Sequence, residues 1–147
     1  MVDIIEWHTT ARFGPPHPRT VRVVLRYRTD DPYAVELCFP GPARLTATLV
    51  VEDGGAVEDG PQWTVGRDLL REGRFGEAGI GDLRVRPDGV GGVRLAFRSA
   101  GGEASVRLDE RDLTAFLEGS YRLVPMGTES AAVDWPRTAE EFLGRAY

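Results

Sequence analysis

Apolar and polar residues alternate along much of this chain, which is the pattern of strands with one buried face. The alternation is clear in residues 21–28 and again in residues 33–39, with the turn-forming sequence TDDP between them at 29–32. So short a connection predicts an antiparallel hairpin. Further apolar positions predict a strand near residues 4–7 and another at 45–51.

The second half of the chain opens with a short helix and then returns to strands. Residues 68–70, DLL, are helical in character, and Gly73 is expected to end the helix because glycine adopts the left-handed C-terminal conformation without strain. Turn sequences at 88–89 and 101–102 then separate three alternating runs. The predicted inward-facing side chains of these runs are Leu83 and Val85, then Val93, Leu95 and Phe97, then Ala104, Val106 and Leu108.

Two helices are predicted toward the C-terminus. Asp109 is a favourable N-cap for the first, which carries an apolar stripe. The stripe consists of Leu113, Phe116, Leu117 and Tyr121. The second is a short helix over residues 138–147. Strands, a short helix, more strands and then helices predict an α+β fold, in one domain that spans residues 1–147 and contains an exposed, acidic loop insertion at 52–60.

Composition excludes several kinds of site. The chain has a net charge of −5, two histidines, no lysine and one cysteine, so neither an intrachain disulfide nor a cysteine zinc cluster can form. No GxSxG or GxxxxGK[ST] sequence is present. We therefore expect no catalytic, cofactor-binding or metal-binding residues and a protein that is not an enzyme. No apolar run approaches the ~20 residues of a membrane helix, and the N-terminus lacks the basic region of a signal peptide, which favours the cytoplasm.

Arginines occupy the positions between the inward-facing residues of the last three predicted strands. They are Arg84, Arg86, Arg94, Arg98 and Arg107. The strand period places them on one outer face, so an acidic protein carries a local positive surface. Two interpretations stay open: a solvated face whose arginine stems cover apolar surface, or a docking surface for an acidic partner or another subunit. Nucleic acid is the weaker partner, because these strand faces lack aromatic side chains for base stacking.

Three sequence pieces occur in a characteristic order. DPYAV lies at residues 31–35, WTVGRDLLREGRFGEAGIGDLRVRP at 63–87 and VPMGTE at 124–129. Through this order, over roughly residues 20–129, the chain resembles the SsgA-like proteins, small actinomycete proteins of sporulation-linked cell division. The resemblance implies a whirly-like fold of two packed antiparallel β-sheets, with a short helix mid-chain and C-terminal helices, assembled as a homotrimer.

The same resemblance implies a function and partners. It implies a non-enzymatic protein that helps localise or support the tubulin-like division protein FtsZ at the septum, with itself, FtsZ or SsgA-family paralogues as partners. The alternative is a single-stranded nucleic-acid-binding module of whirly-like fold, which rests on fold analogy alone. Four polar residues of the shared pieces have no evident role in folding and are candidates for function. They are Arg67, Asp68, Asp82 and Glu129.

Overall fold

The computed structural model of the chain describes residues 2–14, 18–40, 62–99 and 102–133, which form eight strands and three helices. The strands are β1 (Ile4–Phe13), β2 (Arg19–Arg28), β3 (Ala34–Cys38), β4 (Gln62–Gly66), β5 (Ala78–Ile80), β6 (Leu83–Pro87), β7 (Gly92–Ser99) and β8 (Gly102–Asp109). The helices are α1 (Arg67–Gly73), α2 (Glu110–Leu123) and α3 (Glu129–Ala132). Antiparallel strands with separate helices confirm the predicted α+β class.

These strands belong to one sheet, in the order β4-β3-β2-β1-β8-β7-β6-β5. Strand β1 pairs with β2 along all ten of its residues, whereas it pairs with β8 only through Ala11, Arg12 and Phe13. This short ladder joins two four-stranded halves. The prediction of two separate packed sheets is corrected accordingly, because the β1–β8 hydrogen bonds make the halves one continuous sheet.

The sheet curls so that its two halves face each other. The rings of Trp63 in β4 and Phe97 in β7 have centroids 4.0 Å apart, although four strands lie between β4 and β7 in the sheet order. In a flat sheet the two strands would be about 24 Å apart at the usual strand spacing. Phe39 and Phe13 complete this aromatic group, with centroids 4.8 Å and 6.4 Å from Trp63. The contact therefore defines an inner and an outer face of the sheet.

The inner face holds the core. Val23, Leu25 and Tyr27 of β2 are almost fully buried, as their alternation predicts. The helices pack on this face and contribute Leu70, Leu113, Phe116 and Leu117 to the same cluster. Burial of side chains of this size contributes about 1.5–3 kcal/mol each to folding. The inward residues predicted for β6, β7 and β8 also point to this core, except that Ala104, near the start of β8, is exposed.

Gly73, the last residue of α1, is required for packing and not for a left-handed conformation. Gly73 does not adopt a positive φ, and Arg74 caps the helix in the right-handed conformation, which corrects the predicted left-handed glycine. A Cβ on Gly73 would lie 2.6 Å from Cβ of Val85, far inside van der Waals contact. Glycine is therefore needed for the close approach of α1 to β6. Gly81, with φ of 62°, does take the left-handed conformation in the β5–β6 turn.

Helix α2 is anchored at its N-terminus. The carboxylate of Asp109 accepts hydrogen bonds from the backbone N–H groups of Arg111 (2.9 Å) and Asp112 (3.2 Å), as its predicted capping role requires. Asp112 in turn accepts hydrogen bonds from Nε1 of Trp7 (3.3 Å) and Oγ1 of Thr9 (2.7 Å). Both donors lie on the inner face of β1, so α2 is fixed to the inner side of the curled sheet.

Some elements of the structure differ from those predicted from the sequence. Strand β5 and helix α3 have three and four residues, too few to display a period in the sequence. Tyr33, expected on β3, lies in the turn before it and is exposed. The predicted strand at 45–51, the loop insertion at 52–60 and the helix at 138–147 lie outside the described residues. In the described part of the chain, no helix combines the length and apolarity needed to cross a membrane.

Candidate functional site

Arg67, one of the four polar candidates, is a core residue with only 1% of its surface exposed. It is the first residue of α1, and its guanidinium lies between two aromatic rings. Its Cζ atom is 4.0 Å from the ring centroid of Tyr121 and 4.8 Å from that of Tyr27. A desolvated guanidinium over an aromatic face is stabilised by about 2 kcal/mol. Arg67 therefore has a role in folding, contrary to the expectation from the sequence.

The polar partners of Arg67 come from the end of α2 and from α3. Nη1 donates to the carbonyl oxygens of Val124 (3.0 Å) and Ser120 (3.2 Å), and Nη2 donates to Oε1 of Glu129 (3.0 Å). The bond to Val124 satisfies a carbonyl group just beyond the end of α2, whereas the Ser120 carbonyl also accepts the backbone N–H of Val124. We name Tyr27, Arg67, Tyr121 and Glu129 the arginine clamp.

Glu129 is the counter-ion in the clamp. Hydrogen bonds from the backbone N–H of Gly127, together with the nearby guanidinium of Arg67, lower the pKa of the Glu129 carboxyl. Gly127 has a φ of 90°, so the turn that presents this N–H needs glycine. A buried cation requires a paired anion with satisfied oxygens, and the turn before α3 supplies one.

The clamp draws together pieces of sequence that are far apart. The hydroxyl of Tyr27 donates to the carbonyl oxygen of Pro32 at 3.1 Å. The backbone N–H of Arg67 donates to the carbonyl oxygen of Tyr33 at 2.8 Å. The DPY turn, the start of α1 and the segment 124–129 thus meet at one point. Burial raises the pKa of Tyr27 to about 12.

Asp68 and Asp82, the other two polar candidates, are exposed and lie apart. Asp68 accepts a hydrogen bond from the Tyr121 hydroxyl at 3.2 Å and lies 3.9 Å from Nε of Arg71, so it borders the clamp. Asp82 lies in the β5–β6 turn, where its carbonyl accepts the N–H of Arg98. The structure therefore does not gather the four candidates into one site.

The predicted outer arginines share one face of the β6-β7-β8 meander. Arg86 lies directly opposite Arg94, and Arg94 lies opposite Arg107. The β1–β8 ladder adds Arg12 opposite Arg107. Four adjacent strands therefore carry arginines side by side. We name Arg86, Arg94, Arg107 and Arg12 the arginine row. Arg12 is missed by sequence reasoning, because its place in the row depends on the pairing of β1 with β8, which are far apart in the sequence.

Glycines on the same face make room for arginine side chains. A Cβ on Gly92 would lie 2.5 Å from Cζ of Arg107, and a Cβ on Gly79 would lie 2.6 Å from Cδ of Arg84. In both cases the arginine lies across the bare backbone of the neighbouring strand. Any larger residue would push the side chain away from the sheet. The glycines therefore leave room for these arginines to lie flat on the outer face.

A second row, next to the arginine row, consists of small residues. Ala96 lies opposite Ser105, whose carbonyl oxygen accepts the N–H of Gly14 at 3.0 Å. We name Ala96, Ser105 and Gly14 the small-residue trough. On its other side Arg98 lies opposite Glu103. A cavity of about 100 Å³ opens at the β6 end of the trough. It is lined by Gly81, Asp82, Arg84, Ala96, Arg98 and Glu103.

The described residues neutralise only part of the charge of the row. Arg107 forms an ion pair with Asp88. The hydrogen bond from Arg107, together with those from the backbone N–H groups of Val90 and Gly92, lowers the pKa of the Asp88 carboxyl to about 2. Arg94 donates to the neutral hydroxyl of a serine. For Arg86 and Arg12 the described residues provide no acidic partner. Among the described residues, the positive charge of the row therefore exceeds the negative charge that pairs with it.

The described ranges provide neither a metal site nor aromatic side chains for nucleic-acid bases on the outer face of β6, β7 and β8. In these ranges, no group of three His, Cys, Asp or Glu side chains could hold a metal ion. On the outer face of β6, β7 and β8, the described residues include no Phe, Tyr or Trp on which a base could stack. No finding thus supports the single-stranded nucleic-acid alternative.

Solved structures of similar fold define the class of protein. One is an SsgA-like sporulation-specific cell division protein from Thermobifida fusca, with a TM-score of 0.73 and 27% identity over 97% of this chain and 96% of that one. Another is described as "Mutations in SsgB correlate to longitudinal cell division during sporulation of Streptomyces coelicolor". Its TM-score is 0.68, with 34% identity over 90% of this chain and 95% of that one.

The sequences of known relatives belong to the same class as these structures. The sporulation-specific cell division protein SsgB of Kineococcus radiotolerans is 34% identical over 139 residues, which cover 90% of this chain and 73% of that protein. SsgB of Streptomyces coelicolor is 35% identical over 125 residues, 83% of this chain and 81% of that protein. The family described as "Streptomyces sporulation and cell division protein, SsgA" matches residues 21–129. The chain belongs to this family, which confirms the resemblance, and its general role is in sporulation-linked cell division.

Proposed function

We propose that this protein is a non-enzymatic component of sporulation-linked cell division that helps localise or support FtsZ at the septum, in the cytoplasm. The observation that carries the proposal is the family match over residues 21–129, which includes the whole arginine clamp and most of the arginine row. The relatives described above are named for sporulation-specific cell division.

The positions of the charged residues support a binding role. Arg67 and Glu129, the most buried charged groups among the shared pieces, serve the fold and are closed to solvent. The excess positive charge of the arginine row lies instead on an open sheet face, where it can attract another macromolecule. This distribution suits an adaptor, which needs a stable body and an exposed recognition surface.

We also propose that the protein acts as a homotrimer, with FtsZ or family paralogues as further partners. The edge strands of the described sheet are short: β4 has five residues and β5 has three. Edge strands leave backbone N–H and C=O groups unpaired, and subunit contacts are one means of covering them.

Complementation tests the role in division. A fluorescent fusion of this protein is expressed in Streptomyces coelicolor that lacks its own SsgB, with the fluorescent partner alone as the control. We expect the fusion to collect at sporulation septa and to restore septation. Diffuse fluorescence and absent septa, at fusion levels equal to those of native SsgB, contradict the proposal.

Cosedimentation tests the connection with FtsZ. The purified protein is centrifuged with assembled and with unassembled FtsZ, and we expect it in the pellet only with the assembled form. If the fusion restores septation but the protein stays in the supernatant, the role in division stands and direct support of FtsZ is excluded.

A further inference from the structure

We propose that the arginine row and the small-residue trough form a docking track for an extended acidic peptide of a partner protein. The peptide backbone crosses the strands above the arginine row, and its carboxylates pair with the row arginines, of which Arg94 lies in the trough on Ser105 and beside Gly14. The inference rests on the proposed adaptor role only for the origin of the peptide, because the residues of this chain define the surface.

The length of the row matches an extended peptide. The row runs from Arg86 to Arg12 across three strand-to-strand steps, which is about 14 Å at the usual strand spacing. An extended chain rises about 6.8 Å for every two residues, so carboxylates at positions i, i+2 and i+4 also span about 14 Å. An alternating acidic sequence therefore presents three carboxylates to the row from one side.

The trough receives the side chain of Arg94 from the row. Nη1 of Arg94 donates to Oγ of Ser105 at 3.2 Å and lies 3.3 Å from the position of a Cβ on Gly14. The small residues therefore keep this arginine low on the sheet and leave the space above the row to the peptide. The cavity at the β6 end gives further room for one side chain of the peptide.

Without a bound peptide, the arginines of the row repel one another, and two of their side chains are already held in place. Like charges directly opposite each other on neighbouring strands are destabilising, and Arg94 lies between Arg86 and Arg107. A carboxylate above the row relieves this repulsion. Asp88 and the carbonyl oxygen of Val90 hold Arg107 over Gly92, and Oγ of Ser105 accepts a hydrogen bond from Nη1 of Arg94. These arginines therefore lose little conformational freedom when an anion binds.

A peptide fits the surface better than a nucleic acid does. Glu103 and Asp88 border the row and the trough, and they repel a continuous phosphate backbone while a peptide can place neutral residues beside them. The net charge of −5 also opposes a polyanion. Aromatic stacking, the usual source of affinity for single strands, has no side chains to use on this face of the described strands.

Fluorescence anisotropy with the full chain tests the inference. The probe is a fluorescein-labelled decapeptide of alternating Glu and Ser, and the controls are the same peptide with Gln in place of Glu and a labelled oligo(dT) of equal length. We expect the acidic peptide to bind with an affinity that falls as salt is added. The neutral peptide should bind at least about tenfold more weakly, and oligo(dT) should bind no better than the neutral peptide.

Two variants separate the charge of the row from the placement of its side chains. Arg12→Glu/Arg86→Glu reverses two exposed arginines and should weaken binding of the acidic peptide at least about tenfold. Ser105→Ala keeps every arginine but removes the hydroxyl that positions Arg94, and it should weaken binding as well. The matched control, Arg111→Glu/Arg122→Glu, makes the same charge change on α2, on the inner side of the sheet, and should alter affinity by no more than about twofold.

Each contrary result has a definite meaning. Equal binding of the neutral peptide or of oligo(dT) overturns the inference, and so does unchanged affinity in either test variant. Loss of the oligomer in Arg12→Glu/Arg86→Glu, measured by light scattering, assigns the face to a second copy of the chain and also overturns it. If the fusion restores septation while the parent binds no acidic peptide, the proposed function stands and only the docking track is excluded.

Discussion

The guanidinium of Arg67 and the carboxylate of Glu129 lie 3.0 Å apart in the interior, although 62 residues separate them in the sequence. The rings of Tyr27 and Tyr121 cover the guanidinium, which also binds two carbonyl groups at the end of α2. One cation thus joins a strand and the three helices of the described residues. The stability of the described fold should depend strongly on this residue.

Replacement of Arg67 tests that dependence. Arg67→Ala should lower the free energy of unfolding by about 3 kcal/mol, because it leaves the buried Glu129 carboxylate without its counter-ion and the Val124 carbonyl without its donor. Arg67→Lys keeps the charge but lacks the planar fork, so it should recover less than half of the loss. Arg122→Ala, at the exposed end of α2, is the control and should change the free energy by about 0.5 kcal/mol or less. Urea denaturation measures all three, and parent-like stability of Arg67→Lys contradicts the stacked, forked arrangement.

Replacing either of two helical glycines with alanine should change the melting temperature, in opposite directions at the two positions. Alanine favours a helix over glycine by about 1 kcal/mol. At Gly119 the nearest atom to a new Cβ is Cδ1 of Ile5 at 3.5 Å, an ordinary contact, so Gly119→Ala should raise the melting temperature. At Gly73 the new Cβ collides with Val85, so Gly73→Ala should lower it. Calorimetry of both variants decides, and a stabilised Gly73→Ala protein shows that α1 does not lie so close to β6.

Neighbouring leucines of α1 should differ in their tolerance of charge. Leu70 is fully buried, whereas Leu69 is only partly buried. Leu70→Asp places an unpaired carboxylate in the core, at a cost of several kcal/mol, about the whole stability of a small domain. We expect Leu70→Asp to lose cooperative thermal unfolding by circular dichroism and Leu69→Asp to keep it at a lower temperature. Equal melting curves for the two variants disagree with the orientation of α1.

The ion pair of Asp88 and Arg107 should make stability sensitive to acid. The folded protein lowers the pKa of Asp88 from 3.8 to about 2, so the pair contributes its full stability above pH 3.8 and loses it as the pH falls through 2. Asp88→Asn lacks this contribution. The difference in melting temperature between parent and Asp88→Asn should be constant above pH 4 and shrink between about pH 4 and 2. A constant difference down to pH 2 contradicts the lowered pKa.

The proposed trimer predicts a definite mass in solution. Multi-angle light scattering at micromolar concentration should report about three times the 16.2 kDa of one chain. The Leu69→Asp variant, which alters α1 and no sheet edge, should assemble as the parent does if it folds. A parent species of 16.2 kDa excludes the trimer, and a dimer excludes three-fold symmetry.

Several features were accessible from the sequence because their causes are local. The inward set of β2 follows from the two-residue period of a strand, and the cap at Asp109 follows from the chemistry of one side chain and the next turn. The same period puts Arg84 and Arg86 on one face. The family resemblance likewise needed only the order of short pieces along the chain.

The sequence alone determined strands β1 to β3 and β6 to β8 in outline, the short helix at residues 68–70, the capped helix after Asp109 and the family. Tertiary structure decided that the halves form one curled sheet, that Arg67 is buried, and that Arg12 completes a row of arginines. The reason is physical: periodicity reports which side of its own element a residue faces. The register between distant strands, and the partner that makes burial of a charge tolerable, depend on contacts between segments that no local pattern encodes.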